Sequence, residues 1–206
     1  RAEIMTAFSL YENNEIKKAI IKLNTFLEMN PSNELSAYAN YLLAMCYYVQ
    51  ISNEGRDTSL ALKAMNHFKI IISRYPESKY AKDAKLKIQF INNSLASSEL
   101  LIGVFYLNKN FPSAAIKRFR TIIINYKNTH VIPETLYRLC EALLMIGLEA
   151  EAMKSNAILV HNFPQSKWTV LSNKILKLDN NNNNNIIIEN EDVITTIKNY
   201  IKVIFD

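Results

Sequence analysis

At 206 residues the chain is long enough for one sizeable core or a row of small stacked ones. It is 49% hydrophobic and 21% charged yet holds 3 glycines and 5 prolines, and so few turn residues exclude a β-rich fold, which needs a turn signal roughly every 8 to 12 residues. The net charge of +5 permits an anionic partner, but the lysines (Lys17, Lys18, Lys22; Lys79, Lys82, Lys85, Lys87) are scattered along helix faces without an arginine cluster, so solvated faces and no nucleic acid are expected.

Taken in chain order, the apolar spacing predicts helices over 2–12 and 15–29, the second with a stripe of Ile16, Ala19, Ile20, Leu23, Phe26 and Leu27. A third spans 34–50. Asn53-Glu54-Gly55-Arg56-Asp57-Thr58 then reads as a loop ending in a helix cap, and a fourth helix follows over 59–74. From Ser78 to Leu107 there is no proline and one glycine, Gly103, so a single long helix is predicted. Helices over 113–125, 133–145, 148–161 and 168–178 complete the series, with Pro133 suited to a helix start and Gly147 to a helix end. Residues 1–178 are thus read as one helical repeat region. Asp179 and the six asparagines Asn180 to Asn185 open a linker over 179–190, since polyasparagine has no apolar surface to bury. Residues 191–206 regain amphipathic spacing through Val193, Ile194, Ile197, Tyr200, Ile201, Ile204 and Phe205, and are read as a helix covering the open end of the array. A partner-binding helix is the other reading of that segment.

A repeat runs through the helices. Tyr75-Pro76-Glu77-Ser78 and Phe163-Pro164-Gln165-Ser166 are nearly identical, with looser copies at Asn30-Pro31-Ser32-Asn33 and Tyr126-Lys127-Asn128-Thr129. Proline disfavours helix in the residue before it, and a small polar residue two places on can cap the next helix. Twelve residues before each proline position stands an alanine: Ala19, Ala64, Ala115 and Ala152. Four residues after those alanines stand Leu23, Phe68, Phe119 and Asn156. This is the alanine-x3-phenylalanine element of the tetratricopeptide repeat, in which a small residue admits a neighbouring helix and a large one fills the gap. Leu43-Ala44-x2-Tyr47 and Ile102-Gly103-x2-Tyr106 supply the partner element on the first helix of a hairpin. Successive proline positions lie 45, 51 and 37 residues apart against a unit of about 34, which implies two insertions. The expected fold is an all-α solenoid of antiparallel tetratricopeptide-type helix pairs with one long central helix.

No catalytic constellation or cofactor site is found. His67, His130 and His161 lack a second ligand at metal spacing and are read as rim or surface residues; Cys46 and Cys140 sit in apolar stretches and are read as small buried hydrophobes. Gly55, Gly103 and Gly147 build no phosphate loop, and Glu99, Glu134 and Glu141 lie on helices where a lysine or a helix terminus is the usual partner. The protein is expected not to be an enzyme. It opens at Arg1 without an apolar signal core, so any address or lipid anchor is expected upstream of this sequence; no run of 18 apolar residues provides a membrane-spanning helix.

Several segments together resemble the BamD family of tetratricopeptide lipoproteins of the outer-membrane β-barrel assembly machinery. They are Arg56-Asp57, the run Arg74-Tyr75-Pro76-Glu77-Ser78-Lys79-Tyr80-Ala81-Lys82-Asp83-Ala84, Leu95-Ala96-x2-Glu99, Phe105-Tyr106-Leu107, Ala114-Ala115-Ile116-Lys117-Arg118-Phe119 and Phe163-Pro164-Gln165-Ser166-Lys167-Trp168. Ser98, Lys117 and Lys127 depart from the family's usual histidine, asparagine and proline, and the asparagine tract is not part of its common pattern. The resemblance implies a non-catalytic periplasmic scaffold at the inner face of the outer membrane, held there by an N-terminal lipid anchor. It implies three kinds of partner: a POTRA domain of the barrel protein BamA, accessory Bam lipoproteins, and unfolded outer-membrane protein segments. It points to Arg118 as the residue nearest the POTRA dock, with Glu99 and Arg120 as secondary candidates. A CpoB-like periplasmic adaptor that coordinates cell division is the alternative, disfavoured by the long helix and the Arg56-Asp57 insertion.

Overall fold

A computed structural model describes residues 1–51 and 58–177, and all regular structure among them is helical. The linker and last helix expected over 179–206 lie outside the described residues. The helices are α1 Ala2–Glu12, α2 Ile16–Met29, α3 Ser36–Tyr48, α4 Ser59–Arg74, α5 Lys79–Asn108, α6 Pro112–Asn125, α7 Ile132–Met145, α8 Glu149–Asn162 and α9 Lys167–Ile175. The expected all-α tetratricopeptide-type fold is present, with α5 as the single long helix. The chain divides into two compact units, the first ending at Leu95 and the second starting at Ala96, a division that falls within α5.

Two kinds of turn alternate. At the end of α2, α4, α6 and α8 the residues Asn30, Tyr75, Tyr126 and Phe163 share one extended-like conformation, φ −133, −132, −130 and −135°, and each N–H still donates to the carbonyl four residues back. That common geometry is the physical content of the proline motif, and it survives at Tyr126 although Lys127 replaces proline. The other turn joins first to second helix of a hairpin. Asn14, Asn110 and Gly147 adopt φ of 60, 59 and 75°. In each case the next N–H donates to a carbonyl five residues back: Glu15 to Leu10, Phe111 to Tyr106, Leu148 to Leu143. These are Schellman closures, in which glycine or asparagine tolerates the left-handed conformation. Gly147 was legible as such; Asn14 and Asn110 were not singled out.

The expected caps are only partly realised. Ser166 Oγ accepts from the Trp168 N–H, and Asn33 Oδ1 accepts from Leu35 N–H at 2.9 Å. Thr58 begins α4 in helical conformation with no side-chain cap, and Thr129 Oγ1 instead donates backwards to the Tyr126 carbonyl. The Ser78 hydroxyl is buried and makes no hydrogen bond among the described residues.

The repeat arithmetic sets the packing. Ala19, Ala64, Ala115 and Ala152 have no exposed surface, and Leu23, Phe68, Phe119 and Asn156 behind them are equally sealed. On the first helices the small position is filled by Ala7, Ala44, Gly103 and Cys140, all buried. From each to the alanine of the second helix is twelve residues, except that Ala44 to Ala64 is twenty, which locates the first insertion between α3 and α4. In the first unit Ile4, Ala7, Ala19, Leu23, Phe26, Ala39, Leu42, Leu43 and Cys46 form one core. In the second, Leu100, Phe119, Ile122, Leu136 and Leu143 belong to another.

Gly103 lies directly against the ring of Phe119. A Cβ there would overlap the ring of Phe119, meeting Cε1 in hard contact and Cδ1 at 2.9 Å. Gly103→Ala is therefore expected to destabilise the chain by about 1–3 kcal/mol in urea unfolding. Trimming the ring with Phe119→Leu in the same chain should recover part of that loss, whereas Ala44→Gly should show no such coupling to Phe119→Leu.

Candidate partner-binding site

The candidate residues start from the Gly103 contact. Glu99 lies one turn before Gly103 on α5, and Arg118 is next to Phe119 on α6, so the close approach carries both charged groups to the same seam. Arg118 Nη1 donates to Glu99 Oε2 at 3.0 Å and more weakly to Oε1 at 3.4 Å. Tyr126, at the end of α6, is half-buried nearby; burial first, and then the Glu99 carboxylate, raise its phenol above the ordinary value. The side chains of Arg118 and Glu99 are 40% and 23% exposed. A pair so wetted adds about 1 kcal/mol or less to folding, so its value to the fold is small compared with the geometric fix it gives the guanidinium.

Arg120 does not join that pair. Two residues on, it points roughly 200° around α6 and bonds Glu151 of α8 at 2.6 Å, with both side chains near half exposure. The three candidates therefore form two sites on opposite flanks of one helix. Glu151 is the residue that sequence reasoning missed; its place just before the repeat alanine Ala152 was the available signal.

A third cluster anchors α9. Arg138 on α7 lies between Glu134 and Glu141, at 3.7 and 3.0 Å, and under the rings of Tyr137 and Trp168, at 5.3 and 5.8 Å from their centres. Glu134 and Glu141 thus both pair with one arginine. Lys167 caps the other ring contact, 4.7 Å from Trp168.

The first unit presents a group of aromatic rings. Tyr80 of α5 stacks on Tyr41 of α3, centres 4.9 Å apart, and lies 5.5 Å from Tyr38. Tyr41 donates to Asp83 at 2.8 Å, and burial together with that carboxylate holds its phenol protonated. Tyr48 meets Phe90 edge-on, and lysines lie over these rings: Lys79 over Tyr80 and Lys87 over Tyr48. Two lysines expected to be merely solvated thus make cation–π contacts: Lys79 with its neighbour Tyr80 on α5, and Lys87 of α5 with Tyr48 of α3, a pairing of different helices that no local pattern reveals. The exposed ring in this row is Phe90, with Leu86 a turn before it.

Among the described residues no three histidine, cysteine, aspartate or glutamate side chains come together at metal-holding distance, and no helix is long and apolar enough to cross a membrane. Cys46 and Cys140 are buried free thiols, and burial pushes Cys46 up to about 11. His67 sits at the rim as expected, half-buried against Tyr47 and 3.2 Å from Asn40 Oδ1.

A family model described as an outer membrane lipoprotein, YfiO, matches residues 1–159. The chain belongs to the YfiO outer membrane lipoprotein family. A Rickettsia prowazekii protein named outer membrane protein assembly factor BamD is 41% identical over 177 residues, covering 86% of this chain and 70% of that protein. A Caulobacter vibrioides protein of the same name is 39% identical over 176 residues, covering 85% of this chain and 58% of that protein. A Neisseria meningitidis counterpart is 26% identical over 176 residues, covering 81% and 66%. The chain therefore spans roughly three-fifths to seven-tenths of these relatives. The family resemblance read from the sequence is borne out, and nothing in these matches favours the cell-division coordinator.

Burial lowers the pKa of His67 below its ordinary value, so the folded state takes up its proton later than the unfolded chain does. Its neutral form favours folding above the ordinary histidine range, and that contribution is lost as pH falls from about 6.5 toward the lowered value. The melting temperature of wild type is expected to drop between pH 7.5 and 5 by more than that of His67→Gln, measured by circular dichroism; equal slopes would show that His67 does not carry the dependence.

Proposed function

We propose that the chain acts as a non-catalytic scaffold in β-barrel assembly at the outer membrane, and that the Glu99–Arg118 pair is where it docks a POTRA domain of BamA. The relatives named outer membrane protein assembly factor and the family description support the role. The single observation that carries the placing is the half-exposed guanidinium of Arg118, held in position by one carboxylate of its own chain across α5 and α6. A planar fork fixed in this way is suited to receive a second carboxylate from a partner, because orientation is settled before binding and little side-chain entropy remains to be lost. Glu99 then orients, and Arg118 bonds the partner. Arg120 faces Glu151 on the other flank and belongs to a different contact, for which an accessory lipoprotein is the candidate occupant. The periplasmic location and a lipid anchor on an upstream segment are part of the same reading.

The aromatic row of Tyr38, Tyr41, Tyr80, Tyr48 and Phe90 supports a second role in the first unit, that of holding unfolded outer-membrane protein segments. Rigid rings offer apolar area at small entropic cost, and the lysines above them add attraction for carboxylates.

In binding measurements with isolated POTRA domains, Arg118→Glu is expected to weaken the complex at least tenfold and to make it insensitive to Glu99→Gln, while Arg120→Glu changes it less than threefold. Equal affinity of wild type and Arg118→Glu would remove the proposed dock. Phe90→Ser combined with Tyr80→Ala is expected to reduce crosslinking of an unfolded barrel segment severalfold and leave POTRA binding intact; loss of both would mean that the first unit had been disrupted rather than its surface.

A further inference from the structure

The Glu99–Arg118 pair of α5 and α6 has a counterpart in the hairpin of α3 and α4. Glu99 stands four residues before the small residue Gly103, as Asn40 stands four before Ala44; Arg118 stands three after the repeat alanine Ala115, as His67 stands three after Ala64. The contact is kept along with the register, since His67 Nδ1 lies 3.2 Å from Asn40 Oδ1 where Arg118 Nη1 meets Glu99 Oε2 at 3.0 Å. The hairpin of α1 and α2 carries Glu3 and Lys22 at the same two positions, and that of α7 and α8 carries Leu136 and Ser155. One position on the second helix therefore holds a basic side chain in three successive hairpins: Lys22, His67 and Arg118.

The two pairs differ in charge. Asn40 is buried, and its Nδ2 donates to the Ser36 carbonyl at 2.9 Å, which turns Oδ1 toward the imidazole. An amide oxygen only accepts, so His67 Nδ1 carries the proton and donates. In the neutral ring Nε2 is left with a lone pair and cannot donate to an acid; protonation makes it a donor and gives the ring a positive charge. Arg118 is always charged and has Glu99 as its counter-ion, whereas protonated His67 is held by an amide that leaves its charge unanswered within the pair. Tyr47 stacks on the imidazole, centres 5.8 Å apart and planes 16° from parallel. Lys63, exposed and one turn before His67 on α4, lies 5.7 Å from the centre of that same tyrosine ring. The groups gathered around the imidazole are thus Asn40 and Tyr47 from α3 and Lys63 from α4. Two basic side chains at i and i+4 repel each other when both are charged, and a carboxylate between them relieves that repulsion.

We propose that His67 and Lys63 form a second site for a carboxylate side chain of a protein partner, within the first unit, and that the site opens when the imidazole is protonated. Lys63 supplies a standing positive charge, and Asn40 and Tyr47 fix the ring so that Nε2 is the donor that protonation adds. An incoming carboxylate favours the charged ring, so binding takes up a proton and the affinity rises as pH falls through the histidine range. Burial, which disfavours the charged ring in the unbound chain, keeps the site closed at neutral pH until an acid is present to offset it. This inference takes its geometry from the Glu99–Arg118 pair and does not depend on what docks there.

The test titrates the full 206-residue chain with an end-capped hexaglutamate peptide by calorimetry at pH 7.5 and 5.5, where glutamate stays ionised. Wild-type affinity is expected to tighten about tenfold between the two values, and the His67 ring signals in NMR to titrate at higher pH with the peptide than without it. His67→Gln is expected to lose the tightening, and His67→Arg to bind at both pH values as wild type does at 5.5. Lys63→Gln should weaken binding about threefold at both values and keep the ratio. Arg118→Glu, which removes the other carboxylate dock, should lower the affinity at both values and also keep the ratio. An equal ratio in wild type and His67→Gln overturns the proposal, as does an His67 titration that the peptide does not move. Peptide binding that is independent of pH and lost in Arg118→Glu overturns it too, while leaving the reading of Arg118 intact.

Discussion

The fold depends on one steric lock, repeated. A small residue on the first helix of a hairpin lets the second approach until its large side chain fills the space left by the missing atoms. Gly103 and Phe119 show the lock with no room for even a methyl group between them. Interiors packed to crystal-like density respond to single methylenes, so this contact also fixes the angle and register at which α6 lies on α5. The Glu99–Arg118 pair inherits its geometry from that lock. Each of its charged residues is a turn or less from a residue of the lock, and neither side chain is buried deeply enough to set the backbone by itself.

Where the lock is absent, polar chemistry substitutes. In the last complete hairpin the large position is Asn156, sealed from solvent and bonded to Asn173 of α9, with its own Oδ1 left without a hydrogen bond among the described residues. A buried leucine or phenylalanine would contribute about 1.5–3 kcal/mol there; the amide contributes direction rather than burial. It ties α8 to α9, as the Arg138 clamp with Tyr137 and Trp168 ties α7 to α9. α9 is thus attached by oriented polar contacts beside the apolar packing of Trp168, Ile175 and Leu176 on the second core.

The elements were legible in the sequence because proline, alanine and phenylalanine stand at fixed separations whose steric meaning does not depend on partners far away. The four alanines and the residues four places after them are all sealed, as the spacing demands. Caps were read less well. Thr58 and Thr129 are good capping types, yet in both cases the backbone enters the helix already turned, and the hydroxyl is not placed to accept from the first free N–H. The candidate site was legible in its residues but not in its grouping. Two arginines separated by one position on a helix look adjacent in sequence and face apart in space, so Arg118 and Arg120 serve different neighbours. Glu151 and the lysine over Tyr48 stayed hidden because each contact joins helices that no local pattern connects.

The left-handed turns have a kinetic meaning as well. In three hairpins the two small positions stand twelve residues apart and the chain reverses between them through a single asparagine or glycine, so little loop entropy stands between an extended chain and a closed pair. The hairpin of α3 and α4, with twenty residues between its lock positions, pays about 0.5 kcal/mol more to close by the same scaling. Contacts this local place the molecule among fast folders, able to condense hairpin by hairpin from any starting point. Such a chain reaches its working shape early, without waiting on pairings between distant parts of the sequence.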